Sequence, residues 1–185
     1  MKTDRFTDLK YAPYFDNYLQ HLTSDDVHLE LLRSKDEFTK TISEIPESAS
    51  SFRYAADKWS VVQLIQHVID TEIIFSYRAL RIARDEKVLE LSGFDENVYA
   101  EQAALSQMSL ATGTAFFSSV RDSTMALSTT FSSEQMRKTG IASGHEVRVD
   151  LLLLVLAGHA FHHSMVLKER YLPQIQSQSD AKRDA

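Results

Sequence analysis

Apolar residues recur every three to four positions over four long stretches of this chain, and most of these stretches end at a helix boundary signal. Val27, Leu31, Phe38, Ile42 and Ile45 form the first stripe and predict a helix over about residues 24–45. Ser24 or Asp25 can cap its start, and Pro46 stops it. The second stripe, Leu64, Ile65, Val68, Ile69, Ile73 and Phe75, predicts a helix over about 60–84. Ser60-Val-Val-Gln63 matches a capping box at its start, and Trp59 just before it can act as a hydrophobic staple or a pocket wall. The third predicted helix covers about 110–131, through Ala115, Phe116, Val120, Met125 and Leu127. The last runs from about Glu146 to Leu172 and stops before Pro173. Its centre, Leu151 to Ala157, is apolar on every side, as in a deeply buried helix.

The segments between these helices read as connections. Tyr11 to Leu22 reads as a short helix or an aromatic-rich arm lying over the bundle. Glu86 to Asp95 is a connection with Ser92-Gly93 as its turn, Asn97 to Leu105 a short helix, and Ser132 to Gly144 a connection with a helical turn. Four long helices in one domain predict an all-α four-helix bundle with short extra helices. We expect one domain over residues 1–173, followed by a polar, flexible tail over 174–185.

Composition narrows the chemistry. Only five Gly and three Pro occur in 185 residues, which disfavours a turn-rich all-β fold. There is no cysteine, so disulfides, thiolate–zinc sites and a cysteine nucleophile are excluded. The net charge is −6 and the Lys and Arg residues, including Arg78, Arg81, Arg84 and Lys87, are scattered. No basic block marks a nucleic-acid partner. The N-terminal residues lack the apolar run of a signal peptide, and the run Leu151–Gly158 is too short to span a bilayer. The expectation is therefore a cytoplasmic protein with neither nucleic acid nor membrane as partner.

Histidines carry the chemical signal. His67 lies mid-helix among apolar neighbours, and His159 and His163 lie four apart on another helix. That separation puts two imidazoles on one face, about 40° apart around the axis. Three nitrogens from two helices match a catalytic metal site with an open position, rather than a closed structural one. His162 competes with His163 as the partner of His159, at about 60° on the other side, and spacing slightly favours His163. His21, His28 and His145 read as surface or capping residues. Asp70 could orient His67, and Glu72 reads as a surface or interhelical charge.

Two segments resemble those of a known family. Lys58-Trp-Ser-Val-Val-Gln-Leu-Ile-Gln-His67, followed by Asp70-Thr-Glu72, resembles the W-S-x-x-(E/Q)-x-x-x-H stretch of the DinB-like superfamily. Gly158-His-Ala-Phe-His-His163 resembles its C-terminal H-x-x-x-H, and Arg78, Arg81 to Asp85 and Leu91 to Asp95 resemble the segments between. The resemblance covers about residues 20–172. It implies a four-helix bundle of the DinB-like type holding a divalent metal, zinc or nickel, on His67, His159 and His163. The superfamily includes YfiT-like hydrolases and transferases that use low-molecular-weight thiols such as bacillithiol.

The expectation is thus a metal-dependent enzyme that transfers such a thiol to an electrophilic small molecule, or hydrolyses a small substrate. The alternative is a noncatalytic metal-binding stress or regulatory protein. With no cysteine in the chain, any thiol must come from the substrate or cosubstrate. Trp59, Tyr77, Arg78, Phe94 and Asp95 are candidates for the substrate pocket. Arg78, three turns beyond His67 and near the same face, could hold a carboxylate or phosphate in a bidentate fork. Apolar helix faces allow a homodimer, which we also expect.

Overall fold

The computed structural model describes residues 6–85, 90–103 and 108–183. The helices are α1 (Asp16–Leu19), α2 (Val27–Ser43), α3 (Val61–Ala83), α4 (Glu96–Ala103), α5 (Leu110–Thr129), α6 (Ser133–Met136), α7 (Val149–Val166) and α8 (Leu172–Arg183). Two strands, β1 (Thr139–Ala142) and β2 (His145–Arg148), precede α7. The four long helices α2, α3, α5 and α7 form the bundle. Helix α7 packs between α2 and α3, and α5 closes the opposite side between the same two. Consecutive bundle helices α2 and α3 therefore lie diagonally, which their long connection through residues 44–60 permits.

Local signals explain most boundaries. The α3 capping box forms: Gln63 N–H donates to Ser60 Oγ at 3.3 Å, and Ser60 N–H to Gln63 Oε1 at 2.9 Å. Helix α2 starts later than expected, because Asp26, not Ser24 or Asp25, accepts the Leu29 N–H at 3.0 Å. Helix α5 starts at Leu110 under a Ser109 cap. The C-terminal end expected for α4, Leu105, lies outside the described residues.

Two elements differ from expectation. Glu146 to Arg148 is strand rather than helix, paired antiparallel with β1. The turn is the two-residue Ser143-Gly144, with positive φ at both positions (52° and 78°), the geometry that suits the right-handed twist of a hairpin. Pro173 also does not end the last helix. A π-helical turn, Leu167–Tyr171, resets the ladder, and Pro173 falls in the first turn of α8, where its missing N–H costs nothing.

Two buried apolar clusters lie along the bundle. One gathers Phe15, Leu19, Phe75, Ala79 and Leu151–Ala157; the other gathers Phe38, Ile42, Val61–Ile69 residues, Phe117, Ala160 and Tyr171. The stretch Val149–Gln178 is long and apolar enough to cross a membrane, but 78% of its most apolar window is buried inside the protein. Its apolarity is explained by the core.

Between the clusters runs a polar layer. Arg121 and Glu72, both fully enclosed, form a two-pronged ion pair with both contacts at 2.8 Å. Arg121 also donates to Leu31 O, Ser34 Oγ and Leu156 O, tying α5 to α2, α3 and α7. Glu72 is thus the interhelical charge expected; its partner was not foreseen from sequence.

Candidate functional site

The polar layer continues into the three histidines. His67 Nε2 stands 3.0 Å from His159 Nε2, and His163 Nε2 stands 3.1 Å from the same atom. One ligand atom from each of His67, His159 and His163 lies within 4.8 Å of the others. Nitrogens bound at about 2.1 Å to one ion stand about 3.0–3.4 Å apart, so these separations fit a shared metal. Hydrogen bonding alone fits poorly. A neutral imidazole nitrogen either donates or accepts one bond, and His159 Nε2 faces two partners.

All three rings are held neutral. Burial pushes the His67 pKa down to about 4, with His162 adding to the effect. His159 falls well below the ordinary value through burial, then through neighbouring His163, His67, His162 and the Arg121 cation. His163 falls likewise, by burial first. Neutral imidazoles present lone pairs at neutral pH, as ligation requires. Nδ1 of His159 and of His163 is buried without a partner, so neither ring has the usual hydrogen-bonded support behind it. Asp70 does not supply one to His67, since it accepts from Gln66 Nε2 at 2.7 Å.

The N-terminal arm roofs the cluster. The Tyr18 ring meets His159 edge-on at 5.1 Å and His162 at 5.5 Å. Gly158 makes this approach possible: a Cβ there would stand 2.4 Å from the Tyr18 carbonyl oxygen. His162 is not part of the trio: its ring stands 5.2 Å from the His163 ring and 5.9 Å from that of His21. Spacing only slightly favours His163 over His162 as the partner of His159; the fold brings His163 to the cluster.

The histidines wall one end of a cavity of about 560 Å³, a volume suited to a small molecule. Trp59, Arg78 and Phe94, three of the candidates read from sequence, line it. Trp59 stands 4.7 Å from the His67 ring and is fixed by Tyr171, whose hydroxyl donates to Trp59 O at 2.7 Å. Tyr77 and Asp95 are not in the lining. Tyr77 is 53% exposed with Arg81 over its ring, and Asp95 caps α4 by accepting from Asn97 and Val98 N–H. Tyr14, Tyr18, Thr71, Glu96 and Ser143 also line the cavity and were not foreseen there. Thr71 alone had a readable signal, one helical turn from His67 on the same face.

The family model of the DinB superfamily matches residues 30–165. The chain belongs to the DinB superfamily. YfiT from Bacillus subtilis, described as a probable metal-dependent hydrolase with an unusual four-helix bundle topology, has a similar solved structure. The TM-score is 0.68 over 88% of this chain and 87% of that one, at 16% identity, a likeness of fold. No curated protein matches the sequence. The bundle of this DinB-superfamily protein thus confirms the fold the motifs implied, and its three-histidine group suits a divalent metal.

Proposed function

We propose that this DinB-superfamily protein is a metal-dependent enzyme that transfers a low-molecular-weight thiol to an electrophilic small molecule, using zinc or nickel on His67, His159 and His163. The observation that carries the reading is the meeting of three neutral imidazole nitrogens at the wall of a cavity large enough for substrate. A divalent ion there would supply a Lewis acid that lowers the pKa of a thiol or of water. The chain has no cysteine of its own, so the sulfur would arrive with a cosubstrate. Trp59, Phe75 and Phe94 offer apolar walls against which substrate carbon can lie. Tyr18 covers His159 and limits water on that side.

Hydrolysis is the second reading, favoured by the description of YfiT. The two share the histidines and differ in what they consume. Cobalt-loaded protein separates them. Thiol transfer predicts a sulfur-to-cobalt absorption on adding a small thiol, and turnover of an electrophile only with that thiol. A thiol-independent hydrolysis rate that vanishes in His67→Ala would replace transfer with hydrolysis. Full metal loading with neither activity over a broad substrate panel would favour the noncatalytic metal-binding alternative.

A further inference from the structure

Arg78 lies at the other end of the cavity from the histidines, eleven residues along α3 from His67, or about 16 Å between Cα atoms. Only 4% of the residue is exposed, yet no carboxylate pairs with it among the described residues. Its guanidinium lies over the Phe75 ring at 5.0 Å. Nη2 donates to Ser92 O at 2.5 Å and to Ser143 Oγ at 3.1 Å. Those two bonds clamp the loop before α4 against the hairpin turn, and they occupy both Nη2 hydrogens. The bidentate fork expected from sequence is therefore not free. The Nε and Nη1 donors, three of the five in a guanidinium, make no hydrogen bond to the described protein.

Two hydroxyls accompany this cation. Thr71 is 4% exposed, lines the cavity one turn from His67, and its Oγ1 is buried with no partner. A helical threonine commonly returns its hydroxyl to the carbonyl four residues earlier; Thr71 does not. Ser143 Oγ accepts from Arg78 and retains its own hydrogen to donate. A nearly buried cation without a counter-charge and a buried hydroxyl without a partner are both costly unless something fills the space between them. The lining contains a single guanidinium and no lysine, with Glu96 exposed at the rim. That balance favours a monoanion over a dianionic phosphate.

We propose that the substrate or cosubstrate is a small organic acid that enters this cavity with its carboxylate on Arg78 and Ser143. Thr71 meets a polar group in its middle, and its reacting end lies at the three histidines. The proposal rests on the metal reading only for which end reacts. The anion subsite stands on Arg78 and Ser143.

The test uses ω-mercaptocarboxylic acids of increasing chain length and their primary amides, titrated into cobalt-loaded protein and followed by sulfur-to-cobalt absorption. The acid is expected to bind about tenfold or more tightly than its amide, at an optimum chain length. Arg78→Gln should abolish that preference while leaving amide affinity within about threefold of wild type, a pattern that loss of the loop clamp alone does not give. Ser143→Ala should reduce the preference severalfold, and it keeps the test available if Arg78→Gln does not fold. Equal affinity for acid and amide in the wild type, or a preference that survives Arg78→Gln, overturns the proposal. If neither compound gives the cobalt band, the thiol-transfer reading fails. Calorimetry of the same pair on metal-free protein then decides the subsite: acid preference upholds it and equality refutes it.

Discussion

At the scale of single residues, the histidines divide sharply by what they touch. His67, His159 and His163 meet at their Nε2 atoms, whereas His162 offers no nitrogen to that group and lies between His163 and His21. Alanine at any of the three should weaken metal binding, and His162→Ala should retain it, as equilibrium dialysis would show. Loss of binding in His162→Ala with retention in His163→Ala would reverse the assignment. Acid should act on the same rings. His67 titrates near 4 in the folded protein, against an ordinary value of 6.5. The unfolded chain therefore binds more protons between those values, so stability of the metal-free protein rises with pH from about 4 to about 6.5. Urea unfolding at steps across that window should show the rise, and its absence in His67→Ala, His159→Ala and His163→Ala together would assign it. This much was open to reading from sequence, because helical spacing reports which rings share a face. The role of Arg121 and the state of the Thr71 hydroxyl are not legible there. An arginine or a threonine mid-helix is ordinary, and only the packing shows that one is fully enclosed and the other has a buried hydroxyl with no partner.

At the scale of elements, the long helices were legible from their apolar stripes, and the hairpin was not. Ser143-Gly144 is a turn signal, but Glu146 to Arg148 is too short to show a period of two and runs directly into the apolar residues of α7. Pro173 misled for a different reason: a proline stops a helix unless the ladder has been reset just before it, and sequence does not reveal a π turn. The hairpin matters because its turn supplies Ser143 to the cavity. Helix α7 depends equally on its approach to the N-terminal arm. Gly158→Ala would drive a methyl group into the Tyr18 carbonyl and lift the arm from His159. The expected result is a destabilised protein, by about 1–3 kcal/mol, with the arm more open to proteolysis. An unchanged unfolding midpoint and digestion pattern would show that the arm does not rest on this contact.

At the scale of the whole molecule, two apolar clusters are joined by one polar layer that holds both the Arg121–Glu72 pair and the histidines. Removing one partner of an enclosed pair leaves an uncompensated charge, so Glu72→Gln should cost about 3–5 kcal/mol in denaturant unfolding. Replacing both partners with apolar residues should cost less. Metal is expected to stabilise the same layer in a concentration-dependent way, by about 4 kcal/mol at a thousandfold excess over Kd. His67, His159 and His163 together are expected to hold one divalent ion. Elemental analysis of protein purified without a histidine tag tests it most directly. About one ion per chain in the wild type, with none in the triple alanine variant of those three residues and full content in His162→Ala, is the predicted result. Equal metal content in the wild type and the triple variant would contradict it.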